Sequence, residues 1–178
     1  MARVTKLFDE FSPFALEHPT SFVIENKLFT SVYQFVIYQK TVLYDQELSL
    51  RVLKETDIER LRLLDRRIRN VDQKDWANKR KHAAFLGTFA KVCNDFSLYK
   101  ELLTSANFFF GFASPHLFWG TGKTISENGA KDLTLWNGDN HLGQIIGHVS
   151  TFLKSQDTSL DGLQKGRNKK RHHHKVQS

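Results

Sequence analysis

The chain has 178 residues, 40% of them hydrophobic and 25% charged, which fits one globular domain and excludes a disordered, collagen-like or coiled-coil protein. Its one cysteine, Cys93, rules out an internal disulfide and zinc sites of two or four cysteines, and no apolar run is long enough for a membrane span or signal peptide. The net charge of +7 is concentrated in the last 14 residues, which hold six Lys/Arg and no acid, so the body carries only about +1. We expect an intracellular protein, cytoplasmic or nuclear, with no membrane partner.

Hydrophobic periodicity predicts an α+β fold, a mainly helical single domain over residues 1–155 with a few short strands. The predicted elements, in chain order, are strands at Ser21–Ile24 and Lys27–Phe29, a helix from Val32 to Leu43 behind a Thr30–Ser31 cap, a helix at Thr56–Arg69, a helix at Trp76–Asp95 with a further helix through Leu103, a strand at Asn107–Phe112, and a helix at Asn140–Lys154. Residues 156–178 have few apolar side chains and are predicted to be a disordered basic tail. Its residues 165–175 suggest a nucleic-acid partner.

One glycine-rich segment resembles the end of a phosphate-binding loop but fails the full pattern. Gly120–Thr124 follows an apolar run, yet the P-loop requires a glycine where Leu117 stands. Asn128 and Gly129 would also break the helix whose N-terminus holds the phosphates in such loops. The segment is interpreted as a turn.

Three surfaces could carry chemistry, and the first lies on the first helix. Tyr33 and Lys40 are seven residues apart, about two turns, and therefore share a face. A lysine beside a phenol suits an anionic ligand or could lower the pKa of the tyrosine. The alternative is a lysine whose stem packs at the edge of the core.

The second surface lies on the third predicted helix. Trp76, Arg80, Ala83, Gly87 and Lys91 recur at helical spacing opposite a stripe of phenylalanines. Small residues between a tryptophan and two cations would admit a flat ligand that stacks and pairs with charge. Tight packing of one helix on another explains the small residues equally well.

The third surface is Trp136–Gly143, where a turn leads into the last helix. Asp139 or Asn140 can cap that helix, and Gly143 leaves its first amides open, an arrangement suited to phosphate. The alternative is an ordinary capped helix whose glycine packs against a neighbour.

Taken together, these segments resemble the NADAR family (NAD- and ADP-ribose-associated), which includes the YbiA-type N-glycosidases. The resemblance covers roughly residues 7 to 154. The matching segments, in chain order, are Phe11–Phe14, Ser31–Phe35 with Gln39–Lys40, Leu64–Ile68, Asp75–Trp76 with Arg80, Lys91, Leu102–Thr104, Ala113–Gly122 and Trp136–Gly143. It implies a YbiA-like fold and cleavage of N-glycosidic bonds in ADP-ribosyl or phosphoribosyl nucleotide compounds.

The sequence departs from this family at the acidic positions. Tyr33 and Phe112 stand where the family has glutamates, and no acid precedes Trp119. Two hypotheses follow. The chain is an N-glycosidase that uses Tyr33 with Lys40, or an acid from elsewhere; alternatively it is a degenerate member that binds ADP-ribose, a nucleotide or a partner without hydrolysis. The acids considered for the first hypothesis are Glu25, Asp45 and Asp139.

The candidate site combines these positions with those implied by the resemblance. Tyr33 and Lys40 are the predicted catalytic residues. The predicted ligand-binding residues are Trp76, Arg80, Lys91, Trp119, Gly120, Asn140 and Gly143. No metal and no cofactor is predicted, and the predicted partner is an ADP-ribose-like or nucleotide small molecule.

Overall fold

The structure is a computed structural model that describes residues 5–157. Its elements, in chain order, are β1 (Thr5–Phe8), β2 (Phe22–Ile24), β3 (Lys27–Phe29), α1 (Val32–Tyr44), α2 (Gln46–Lys54), α3 (Ile58–Arg67), α4 (Gln73–Asn94), α5 (Phe96–Thr104), β4 (Phe109–Phe112), a 3-10 turn (Leu133–Leu135) and α6 (141–157). The predicted mainly helical α+β class is confirmed. α6 extends two residues into the predicted tail, and the rest of that tail, with residues 165–175, lies outside the described residues.

Short polar side chains fix where the helices begin. Ser31 accepts a hydrogen bond from the amide of Gln34 at the start of α1, as the cap signal predicts. Asp57 caps α3 in the same way, and Asp72 accepts from two amides at the start of α4. α4 therefore starts before Trp76, one turn earlier than the periodicity indicates.

The face of α4 that enters the core is the one with small residues. Ala83, Ala84 and Gly87 are buried, and a Cβ at Gly87 would lie 2.9 Å from a methyl carbon of Val32 on α1. The predicted phenylalanine stripe is only partly in the core, and Phe96, its last member, is 78% exposed. Close helix packing is therefore the correct interpretation of the small residues.

Two small sheets complete the fold. β2 and β3 form an antiparallel hairpin, as their predicted positions allow. β1 pairs in parallel with β4, from Thr5 opposite Phe109 to Phe8 opposite Phe112. The rings of Phe8 and Phe112 stack with centroids 5.3 Å apart, which anchors the N-terminal strand to the core. None of the helices in the described part of the chain has the length and apolarity needed to cross a bilayer.

Candidate functional site

A cleft of about 640 Å³ opens where the segment after β1 meets α1, α3 and the loop after β4. We call it the Tyr33–Trp119 cleft. Its lining residues are Glu10, Ala15, Leu16, Glu17, Tyr33, Arg62, Asp65, Arg66, Phe112, Ser114, Pro115, His116 and Trp119. Charged, polar and aromatic side chains from four separated segments thus face one volume, as is common in sites for small polar ligands.

Tyr33 lies in this cleft, but the lowering of its pKa by Lys40 that the helix spacing suggested does not occur. Lys40 Nζ donates a hydrogen bond of 2.7 Å to Asp65 Oδ1 and so forms an ion pair with that carboxylate. Burial, followed by the charges of Asp65 and Glu17, raises the pKa of the Tyr33 phenol. Tyr33 therefore stays protonated at neutral pH and can donate a hydrogen bond, rather than act as a base.

Carboxylates do reach the cleft, from positions that the sequence did not single out. Asp65 sits in the last turn of α3 with its side chain 32% exposed. Both carboxylate oxygens of Glu17 accept a hydrogen bond, at 2.8 and 2.6 Å, from the same nitrogen of Arg62, Nη2. None of the three acids proposed from sequence, Glu25, Asp45 and Asp139, lines the cleft.

The cationic side of the cleft is supplied by α3. Arg62 is engaged with Glu17 and also with Glu59. Arg66, one turn later, lines the cleft without an ion-pair partner among residues 5–157. A free guanidinium at the mouth of a cleft is suited to a phosphate or carboxylate group of a ligand.

The two predicted tryptophans do not share a site. Trp119 lines the Tyr33–Trp119 cleft, whereas Trp76 is buried against Tyr44 and lines a separate groove of about 410 Å³ between α1 and α4. The Nζ of Lys40, which is ion-paired with the cleft residue Asp65, lies 5.9 Å from the indole centroid of Trp76. The structure therefore does not bring the two predicted ligand-binding tryptophans together in one pocket.

Arg80 lies beside the cleft and not in its lining. Its guanidinium carbon is 3.2 Å from the centroid of Phe118 and 5.8 Å from that of Trp119. Burial lowers the pKa of Arg80, although the nearby charges of Asp65 and Asp139 oppose that effect. Its Nε is buried without a hydrogen-bond partner. Arg80 thus adds positive charge behind the aromatic wall.

Lys91 and Gly120 support the cleft from behind. Lys91 is 1% exposed, and its Nζ donates a hydrogen bond of 3.2 Å to the carbonyl oxygen of Ala15 in the cleft wall. Gly120 is buried in the turn after β4, where a Cβ would lie 2.5 Å from the carbonyl oxygen of Ser114. No helix begins directly after Gly120 and Gly122, since residues 123–132 form bends and turns, which agrees with the interpretation of this segment as a turn.

Asn140 and Gly143 are structural residues, so the predicted phosphate site at the start of α6 is wrong. The amides of His141 and Leu142 already donate to the carbonyl oxygens of Phe118 and Trp119. A Cβ at Gly143 would lie 2.3 Å from the carbonyl oxygen of Phe110, so this glycine admits β4 rather than a ligand.

The side chain of Asn140 closes the free edge of β4. It accepts a hydrogen bond from the amide of Phe112 and donates one to the carbonyl of Phe110, both at 2.9 Å, and the residue is 3% exposed. Asn140 adopts φ +52°, a left-handed conformation that asparagine tolerates better than most residues. The Trp136–Gly143 motif thus holds β4, whose last residue, Phe112, lines the cleft.

We expect Asn140→Gly to lower the free energy of unfolding by about 2 kcal/mol, because two buried backbone groups lose their partner. Asn140→Ala should cost more, since alanine also strains the positive φ. Urea denaturation measures both losses. Asn107→Ala, at an exposed position just before β4, is the control and should change stability by less than about 0.5 kcal/mol. Equal losses at both positions would contradict the bridging role.

The described residues 5–157 contain no group of three or more His, Cys, Asp or Glu side chains placed to hold a metal ion. The cleft instead offers two ion-paired carboxylates, one free guanidinium, a neutral phenol and an indole. This set can bind a polar ligand that combines an anionic group with a flat ring.

Comparisons with known proteins bear on the family and the fold of this chain. A sequence model of the NADAR domain matches residues 3–154. Protein irg-1 of Caenorhabditis elegans is 26% identical over 125 residues, which covers 68% of this chain and 59% of that relative. The chain therefore spans less than two thirds of the curated relative it matches. The NMR structure of the E. coli protein YbiA superposes with a TM-score of 0.67 at 15% identity, covering 92% of this chain and 90% of the other. At that identity the likeness shows the fold.

Proposed function

The chain belongs to the NADAR domain family, and from this premise we propose that it binds an ADP-ribosyl or phosphoribosyl nucleotide compound in the Tyr33–Trp119 cleft and hydrolyses its N-glycosidic bond. The observation that carries the proposal is the meeting of Asp65 and Glu17 with Tyr33 and Trp119 in one cleft. Those carboxylates stand close to the positions where the family resemblance expects acids and the sequence has aromatic residues.

Cleavage of this bond needs negative charge near the anomeric carbon. As the bond from C1′ to the base nitrogen breaks, positive charge develops on the ribose ring. Of the two ion-paired carboxylates, we assign this role to Asp65, because only Oδ1 bonds Lys40, whereas both oxygens of Glu17 accept from Arg62. Water then adds its hydroxyl to C1′, and its proton leaves with the base.

The remaining groups bind and orient the ligand. The indole of Trp119 offers a surface for the base, and Arg66 offers a guanidinium for a phosphate. Tyr33, kept protonated by its raised pKa, donates a hydrogen bond to the ribose or to the departing base. Arg62 binds both carboxylate oxygens of Glu17 and so fixes the position of that side chain in the cleft.

A specific observation favours a second candidate, binding without turnover. Glu17 is ion-paired with Arg62 in the cleft lining, and Asp65 is ion-paired with Lys40, which lies outside the lining. A carboxylate held in an ion pair stabilises a developing cation less than a free one, because its charge is already partly compensated. In this alternative the cleft retains the ligand and releases no product.

The test is to incubate the purified full chain with ADP-ribosylated guanosine nucleotide and to separate the products by chromatography. The hydrolase proposal expects free ADP-ribose that accumulates in proportion to enzyme and time. A melting-temperature measurement with ADP-ribose, in the same buffer, reports binding independently of turnover.

The outcomes separate the two candidates. Product formation supports the hydrolase. A rise in melting temperature without product supports binding alone and overturns the hydrolase for this substrate class. If no product forms and millimolar ADP-ribose leaves the melting temperature unchanged, both candidate functions are overturned.

A further inference from the structure

The turn after β4 holds one histidine rigidly in the wall of the Tyr33–Trp119 cleft. The amide of His116 donates to Ser114 Oγ at 3.3 Å, and its carbonyl oxygen accepts from the amide of Gly120 at 2.7 Å. The amide of Gly122 also donates to the carbonyl of Ser114 at 3.0 Å. The backbone on both sides of the imidazole is therefore fixed.

The imidazole itself is fixed in one tautomer by the same turn. Nδ1 of His116 accepts hydrogen bonds from the amides of Phe118 and Trp119, at 3.2 and 3.3 Å. A nitrogen that accepts from two N–H groups carries no proton of its own, so the neutral ring carries its proton on Nε2. Nε2 has no hydrogen-bond partner among residues 5–157.

His116 is next to the surface assigned to the base. Both His116 and Trp119 line the cleft, and Trp119 is the residue whose amide is bonded to the imidazole. A base that stacks on the indole would present its edge to the neighbouring imidazole. Base edges carry oxo groups and ring nitrogens that accept hydrogen bonds, and amino groups that donate them.

We propose that His116 is a specificity residue that donates its Nε2–H to an acceptor on the edge of the base stacked against Trp119. This inference rests on the proposed function and adds the selection of the base to it. The cleft then favours a base with an oxo group or an unprotonated ring nitrogen at that edge, because an amino group there would face another donor.

A matched pair of variants separates the proposed donor role of His116 from a purely structural role as a cap for the turn. In His116→Asn, the side-chain oxygen replaces Nδ1 as acceptor for the amides of Phe118 and Trp119, while the outer nitrogen is absent. In His116→Ala both functions are absent. The asparagine variant therefore retains the cap and loses only the donor.

The experiment measures equilibrium binding of inosine 5′-monophosphate and of indole riboside 5′-monophosphate, which lacks acceptors on its base. Wild type is expected to bind the inosine nucleotide about three- to tenfold more tightly than His116→Asn, the loss of one neutral hydrogen bond. The indole nucleotide should bind both proteins equally. His116→Ala should match His116→Asn in affinity and fall below it in melting temperature.

Each alternative outcome has a defined meaning. If wild type and His116→Asn bind the inosine nucleotide equally, His116 is a turn cap and the specificity proposal is overturned, while the proposed function stands. An equal loss of affinity for both nucleotides in His116→Asn would also overturn it, because the effect would not depend on an acceptor. Binding of neither nucleotide by wild type would overturn the proposed function as well.

Discussion

Asp65→Asn is expected to lower the rate of ADP-ribose release at least about 100-fold, with a much smaller change in the affinity for ADP-ribose. The amide keeps the size and position of the carboxylate but removes the negative charge that stabilises the ribosyl cation, and charge stabilisation of this kind contributes on the order of 3 kcal/mol to a transition state. Single-turnover rates at saturating enzyme measure the effect without contributions from product release.

Lys40→Met is the matched control for that variant. This variant removes the ammonium group of the same ion pair and leaves the Asp65 carboxylate in the cleft. If Asp65 acts through its charge, Lys40→Met should retain at least about a tenth of the wild-type rate, because the reacting group remains. Similar losses in both variants would show that the ion pair matters only for structure and would contradict a catalytic role for Asp65.

The stability of the protein is expected to rise between pH 7 and pH 9.5, because of one buried lysine. Burial lowers the pKa of Lys91 from 10.5 to about 8, an effect that the charge of Asp95 partly opposes. Between these two values the unfolded chain binds more protons than the folded protein, so the free energy of unfolding increases with pH. The expected gain is about 2 kcal/mol by pH 9.5 and about 3 kcal/mol in total.

Urea denaturation of wild type and Lys91→Met at pH 7 and pH 9.5 checks this expectation. Methionine does not titrate, so the advantage of wild type over the variant should grow by about 2 kcal/mol across the interval. The comparison cancels the titration of Cys93, which both proteins share. Lys100→Met, at an exposed position on α5, should show no such pH dependence. If the free energies of unfolding of wild type and Lys91→Met differ by the same amount at both pH values, burial does not lower the pKa of Lys91 and the expectation is wrong.

Local signals were sufficient to predict much of the fold. The cap of α1 and the positions of α3, β2 and β3 depend on residues close in sequence, and all were predicted within a few positions. β1 was missed because Thr5–Phe8 is a strand only by pairing with a segment beyond residue 108. α2 was also missed, since it is short and buries only Val52. The phenylalanine face of α4 was predicted to be its apolar face, but the face with small residues enters the core because it packs closely against α1.

The candidate site shows the limit of sequence reasoning more clearly. Tyr33 and Trp119 were identified by spacing and family resemblance, and both line the cleft. The acids could not be identified in this way, because Glu17 and Asp65 are far apart in sequence and line the same cleft only once the chain has folded. Asp65 does lie within Leu64–Ile68, one of the segments that carry the family resemblance. Asn140 was recognised as important, but its role as a partner of β4 requires knowledge of the strand.

The parallel pairing of β1 with β4 also has a consequence for biosynthesis. The two strands are separated by about 100 residues of chain, so the first strand has no partner until most of the domain has emerged from the ribosome. Pairing between residues so far apart in sequence slows folding, because the entropy cost of closing a long loop must be met before the strand contacts stabilise the chain. Helices α1 to α5 lie between the two strands in the sequence and can assemble earlier, whereas the Tyr33–Trp119 cleft also needs residues 112–119 and therefore forms only after β4 has been synthesised.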